Sequence, residues 1–443
     1  MGYLDHLLTS KGWTHIPRRL CMIANRFGLG SLTSRRALEQ FLEITGAHGC
    51  RPTLCITADL LDHHGPIIED ICGRDVDIGL HGRYHIDHSL LSSEAQVREI
   101  AAGIANFKNI GIQVSGFRAP FLRFNEATGR AVVANNLLWA SNSVMYCEGA
   151  GCSELLKKST SVQALREFYT YRSFAKEPSL PRWEWGTGCL KIPILVPDDE
   201  MLVDRLRIRE PTKITDIWLR MLNVSHQQGE LFTLLIHPER MDWVAKAMDT
   251  LLKTARDLGD VWVASLDEIS RWWHERARAS VEVSDSHHGT FRVAVRGPRA
   301  LTVYIQNPVG AAELVTLAKD GSFTLRSGFR PVIGIPADCD DGVRASLRNE
   351  GFLLEPENGR SQCSFTLNDH TSAHHRLLLE SLTQAHGPLV RLWRWPNRFR
   401  SALAITADLD AITLWDFVRR ARHFHRFEVR QPNRGPAGNS LTS

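Results

Sequence analysis

The nine cysteines of this chain are odd in number, none forms a C-x-x-C, and Cys147 with Cys152 is the only close pair. A disulfide framework would be even and regularly spaced, so the expectation is reduced thiols in a cytoplasmic setting, with Cys55 in PTLCIT read as a small core residue. No stretch approaches the roughly 18 consecutive apolar residues of a membrane span. The opening MGYLDHLLTSKGWTHIPRR holds no apolar run of signal-peptide length, so neither a span nor export by the ordinary route is expected. Charge of one sign is also scarce: Lys+Arg 53 against Asp+Glu 49 leaves +4. That is too weak a field for bulk binding to nucleic-acid phosphates. Two catalytic signatures are missing as well. FGLGSL lacks the lysine and spacing of a P-loop, and no G-x-S-x-G elbow occurs.

What is present is an ordinary globular composition, 43% hydrophobic and 23% charged over 443 residues. At about 100–200 residues per domain, that length implies two or three domains. From Leu20 to about Arg276, short apolar runs (LCMIA, PTLCIT, VSGFRAP, LFTLLIH, VWVAS) alternate with helical patterns that repeatedly end in glycine. Such alternation predicts an α/β domain with a parallel sheet or barrel, placed at 1–279. Near Ser280 the texture turns to β-branched and aromatic runs (TFRVAV, ALTVYIQN, SFTLRSG, CSFTLND), predicting a smaller β-rich module at 280–388. A further strand–helix unit, SALAITADLDAITLWDFVRRARHF, lies within 389–443 ahead of a Pro/Gly/Asn-rich tail that reads as disordered. That unit resembles CMIANRFGLGSLTSRRALEQFL near the N-terminus. It is either the opening of an uncompleted second domain or a strand of the first.

The strongest chemical signal is Asp77-Ile78-Gly79-Leu80-His81-Gly82-Arg83-Tyr84-His85. Two histidines at i and i+4, after a strand-like run, can place two imidazole nitrogens on one metal ion. Among 19 histidines such a pair also arises by chance. Two other strand ends accompany it in order, Arg118-Ala119-Pro120-Phe121 and Leu234-Leu235-Ile236-His237. Loops at the carboxyl ends of parallel strands are where such folds keep catalytic groups.

Together these motifs resemble the polysaccharide deacetylase (NodB-like) family over about Leu20–Trp273. His81 and His85 match its H-[ST]-x-x-H with Gly82 in the Ser/Thr place, Arg118–Phe121 match R-x-P-[FY], and Leu234–His237 match L-x-[IV]-H. The resemblance implies a distorted (β/α) barrel and hydrolysis of an N-acetyl amide on an amino-sugar or polysaccharide. It further implies a divalent metal, usually zinc, held by two histidines and an aspartate. A second aspartate would act as base, oriented by Arg118, and His237 would protonate the leaving amine. Phe121 and Trp139 are assigned to the substrate cleft, and Trp183, Trp185, Trp272 and Trp273 offer a sugar platform or simply core.

The first motif of the family, T-F-D-D after the first strand, is absent: Asn25 and Arg26 stand where the acid pair belongs. Taken alone this predicts an inactive domain. A strand-end Asp-x-Asp does occur at Asp408–Asp410, with Asp408 cast as base and Asp410 as third ligand. The same two residues also suit a turn or helix cap. Pro197-Asp198-Asp199-Glu200 reads as an acidic helix start or an extra ligand source. Two readings follow: a metal-dependent deacetylase, or a catalytically inactive carbohydrate-binding or scaffolding protein. Two arrangements remain for the 401–424 segment, docked beside the barrel or packed on the β-rich module.

Overall fold

The computed structural model describes residues 31–151, 171–184, 186–287, 289–308, 312–356, 362–367 and 375–420. The expected LCMIA strand, Asn25, Arg26, Trp185, Cys21, Cys152 and the C-terminal tail lie outside them.

Among the described residues nine strands form the main sheet: β1 (Thr53–Ile56), β2 (Asp77–Leu80), β3 (Gly116–Phe117), β4 (Trp139–Ala140), β5 (Arg182–Trp183), β6 (Leu190–Lys191), β7 (Leu231–Ile236), β8 (Val261–Val263) and β9 (Ser401–Leu409). Their order is β7-β9-β1-β2-β3-β4-β6-β5, with β8 also pairing β9. All neighbours run parallel except β5 and β6. With the surrounding helices this makes a half-open, distorted β/α barrel, the architecture that the sequence resemblance implies.

Strand β9 resolves the open alternative: it belongs to the first sheet. Its sequence SALAITADL is small and β-branched, and every residue is buried, as a parallel strand covered on both faces requires. One edge pairs with β7, from Leu231↔Ala402 to Ile236↔Ala407. The other is shared between β8 (Val261↔Ser401) and β1 (Thr53↔Thr406 to Ile56↔Leu409). The turn after it is fastened to the helix Leu32–Ala47, whose Ser34 hydroxyl donates to the Ile412 carbonyl at 2.6 Å.

Helices cover the sheet through apolar stripes. In Met241–Leu258, Val244, Ala247, Met248, Leu251, Leu252 and Ala255 recur at helical spacing and are buried, and Gly259 ends the helix at φ +78°. On the sheet, Gly116 leaves room for Trp139, since a Cβ there would fall 1.9 Å from the indole.

The 280–388 segment is β-rich, as its sequence predicts, and also contains a parallel sheet. Ser280–His287, Thr290–Arg296 and Ser322–Arg326 pair antiparallel, whereas Arg330–Ile335 runs parallel to Leu354–Pro356 and Cys363–Thr366. Leu389–Leu392 pairs with Val303–Gln306. By its hydrogen bonds that strand therefore belongs with the module rather than with the unit that follows.

Candidate metal and catalytic site

The carboxyl ends of β9, β1, β2, β3 and β7 converge on one group of polar side chains. His81 follows β2, and its Nδ1 lies 2.9 Å from the Arg118 carbonyl. A carbonyl only accepts, so Nδ1 carries a hydrogen, and in the neutral ring, the form that ligates, Nε2 presents a lone pair. That lone pair faces Asp410 Oδ1 at 3.1 Å, and His85 Nε2 lies 3.2 Å from Asp410 Oδ2. One donor atom from each residue falls within 4.8 Å of the others. Asp410 Oδ1 is buried and receives no hydrogen bond. A lone pair aimed at a carboxylate is repulsive unless a cation lies between them, so this donor set fits a divalent metal.

Protonation states agree. Burial, then the nearby Arg420, pushes the His85 imidazole down to about 3, although Asp410 opposes this. Burial would raise the Asp410 carboxyl, but His85, His81 and Arg420 hold it well below its ordinary value. A neutral imidazole beside an ionised carboxylate is the form that ligates.

The histidine pair sits on an irregular loop rather than a helix turn. Gly82 has φ +80°, and a Cβ there would meet the Tyr84 carbonyl at 2.7 Å. Glycine in place of the usual Ser or Thr is therefore demanded by this loop's path.

Asp408, two residues before Asp410, is held from the other side. Arg118 donates through Nη1 to Asp408 Oδ1 at 2.9 Å and to Thr406 Oγ1 at 3.0 Å. Its remaining nitrogens bond the Ser141 carbonyl and hydroxyl at 3.1 and 2.9 Å, and the side chain is fully buried. Asp408 Oδ2 lies 3.9 Å from His81 Nε2, within reach of a water shared with the ligand set. His237 follows Ile236, which is in register with Ala407, and so comes level with Asp408 on the adjacent strand.

Asp199 completes the His237 group and was not singled out as its partner from sequence. Its Oδ1 lies 2.8 Å from His237 Nδ1 and its Oδ2 accepts the His237 amide at 2.6 Å. Burial alone would lower the His237 pKa, but the Asp199 carboxylate outweighs it and the value rises to about 10. The neighbouring Asp198 is pushed up to about 7 by burial and then by Asp199 and Glu200, and it accepts the Met201 amide. Neither aspartate belongs to the His81–His85–Asp410 group.

Two aromatic expectations need restating. Phe121 packs edge-on against the His85 ring, centroids 4.3 Å apart, and so buttresses that imidazole. Trp139 is corrected outright: it is fully buried and its indole N–H donates to Asp267 at 2.7 Å. The space left by Gly79 and Gly116 draws the ring into the core and away from any cleft. Trp272 and Trp273 are buried too, whereas Trp183 is 37% exposed.

Residues 26–137 match the family model described as polysaccharide deacetylase. Over that stretch the chain is similar to the polysaccharide deacetylase family. Structural neighbours include a polysaccharide deacetylase from Mycobacterium smegmatis (18% identity, TM-score 0.44, 60% of this chain and 84% of that one) and another from Pseudomonas aeruginosa PAO1 (15%, 0.43, 59% and 78%). A CE4 family pseudoenzyme from Bacillus anthracis is also similar (14%, 0.32, 54% and 61%). No curated protein matches the chain. No helix among the described residues is long and apolar enough to cross a membrane.

Proposed function

We propose that this protein is a metal-dependent hydrolase that removes N-acetyl groups from an amino-sugar or polysaccharide, with His81, His85 and Asp410 as ligands of a divalent cation, zinc in the first instance. The observation that carries the reading is the Asp410 carboxylate set against two imidazoles at 3.1 and 3.2 Å while Arg118 clamps Asp408 beside it. The bound cation supplies Lewis-acid polarisation of the acetyl carbonyl and of water. The remaining roles fall to the chain's own groups. Asp408, oriented by Arg118, accepts the proton of the attacking water through the oxygen Arg118 leaves free. His237, kept protonated by Asp199, donates to the departing amine. Phe121 holds the His85 ring in its ligating pose. A cytoplasmic location is part of the proposal, on the odd, unpaired cysteine pattern.

One feature favours the second reading, an inactive carbohydrate-binding protein. Arg420 donates to the Asp410 carbonyl at 2.7 Å and stands 3.7 Å from its Oδ2, so a fixed positive charge adjoins the ligand set.

Metal analysis after exhaustive dialysis, with acetate release from an N-acetylglucosamine oligomer, separates the two. The wild-type chain should retain close to one zinc, and Asp410→Asn should weaken retention about 10–100-fold or more. Asp408→Asn should keep the metal while acetate release falls about 10²–10⁴-fold. A wild-type chain that binds the oligomer but neither zinc nor other divalent cations would establish the second reading.

A further inference from the structure

Beyond the metal ligands, the sheet carries a cavity of about 200 Å³, enough for one hexose ring, lined by Ser143, Arg172, Arg182, Trp183, Glu184 and Lys191 among others. It lies at the far end of the same rim. Ser143 is two residues beyond Ser141, the residue that holds Arg118. Lys191 pairs in register with Ala140 of β4 on one side and with Arg182 of β5 on the other. Its ammonium stands 4.7 Å from the centre of the Phe124 ring, three residues past Phe121, which packs on His85. The Phe121–Phe124 loop thus touches His85 at one end and Lys191, a cavity residue, at the other.

Charge in the cavity is unbalanced. Arg172 and Arg182 converge on one carboxylate, Glu177 Oε2, the second at 3.0 Å. Lys191 is paired with Glu184. Of the charged groups that line the cavity three are cations and one, Glu184, is a carboxylate, with Glu177 paired to both arginines and Glu350 and Glu230 acting on Arg182 as well. Beside them Trp183 remains 37% exposed while its ring rests edge-on against His274, centroids 4.7 Å apart at 82°. A braced, half-exposed indole next to surplus guanidinium charge is suited to a sugar ring that carries an anion.

We propose that this cavity is a saccharide subsite for an acidic residue, carboxylate- or phosphate-bearing, of the glycan whose N-acetyl group is hydrolysed. The proposal deepens the deacetylase reading and rests on it for the identity of the neighbouring site. Burial, then the neighbouring Arg182, pushes the Arg172 guanidinium down to about 10.

The test is calorimetric titration of the full chain at low salt with three probes. These are a tetrasaccharide alternating glucuronate and N-acetylglucosamine, the neutral N-acetylglucosamine tetramer, and that tetramer carrying one 6-phosphate. At least one acidic probe should bind about ten-fold or more tightly than the neutral one, and the stronger of the two identifies the anion. Arg182→Gln, checked for native circular dichroism, should abolish the preference. Trp183→Ala, which removes a partly exposed ring, should weaken all three probes and leave the preference intact. Equal binding of neutral and acidic probes by the wild-type chain overturns the proposal, as does a preference that survives in folded Arg182→Gln. Zinc content, measured on the same samples, reports separately on the deacetylase reading: a preference without zinc retains the subsite and removes the hydrolase.

Discussion

Replacing Asp199 by Asn probes the electrostatics of the His237 group without changing its shape. In the wild-type fold the His237 pKa rises from 6.5 to about 10, because the buried Asp199 carboxylate outweighs the desolvation of the ring. The folded chain therefore holds this proton more tightly than the unfolded one. The resulting stability is fully present below pH 6.5 and is lost as pH climbs towards 10. His237 is only 13% exposed, so little solvent discount applies. At about 1.4 kcal/mol per pH unit the contribution is on the order of 5 kcal/mol at its fullest. In Asp199→Asn the amide still accepts a hydrogen bond, but burial now acts unopposed and the imidazole should titrate at or below its ordinary value. At pH 8 no more than about 3% of it would then carry the proton. Acetate release at that pH should fall roughly 30-fold or more on protonation alone, with a smaller loss at pH 5.5. Urea unfolding of both chains gives a readout independent of catalysis. The wild-type advantage should be several kcal/mol near pH 6 and should shrink steadily up to pH 10. An advantage that is constant across that range would refute the coupling of Asp199 to His237.

Two further substitutions test the supports of the site. Gly82→Ala places a Cβ 2.7 Å from the Tyr84 carbonyl at φ +80°, which should cost about 1–3 kcal/mol and loosen zinc retention, read from the urea midpoint and metal content together. Glu350 is completely buried and bonded to Arg394 at 2.6 and 2.8 Å, to His375 at 2.8 Å and to Arg391. Glu350→Gln should cost about 3–5 kcal/mol by leaving several cations short of a counter-charge, seen as a lowered unfolding midpoint.

How legible the site was from sequence depended on the range of the interaction concerned. The alternating runs ending in His81, Arg118 and His237 could be recognised because each motif is local, a strand followed by its own loop. Asp408 and Asp410 could be recognised as a strand-end pair for the same reason. Their position opposite His81 and His85 could not, because it is set by the pairing of Ser401–Leu409 with three strands over 130 residues or more. Trp139 was misassigned because strand-end position leaves the facing side undetermined. The space left by two glycines on neighbouring strands, Gly79 and Gly116, decided it. Asp199 was hidden in a run that also reads as a helix start, and only the fold brings it beneath a histidine 38 residues later.

The place of the acid pair in chain order carries less weight than its place in the sheet. Neighbours in a parallel sheet are joined by crossovers of a dozen residues or more, and hydrogen bonding does not register which part of the chain supplies a strand. The slot between β7 and β1 needs a continuously apolar strand running the same way, with a carboxylate pair where it emerges. SALAITADLD meets both conditions, and the β-rich module serves as the long connection that returns it. The anchoring agrees with this: Arg394, just before β9, bonds the Gln228 and Gly229 carbonyls ahead of β7 at 2.8 and 3.1 Å. At the other end Ser34 takes hold of Ile412, and Asp416 receives the Ile412 and Thr413 amides at 3.0 and 2.8 Å while binding His64 at 2.9 Å. Both ends of the strand are thus fixed to the barrel, and the register follows. Displacing β9 by two residues would move Asp410 into the position of Asp408 and leave the histidines without their carboxylate. The Arg394 contacts at the end of the module's connection are therefore part of what keeps the ligand set together, although none of the module's described residues belongs to it.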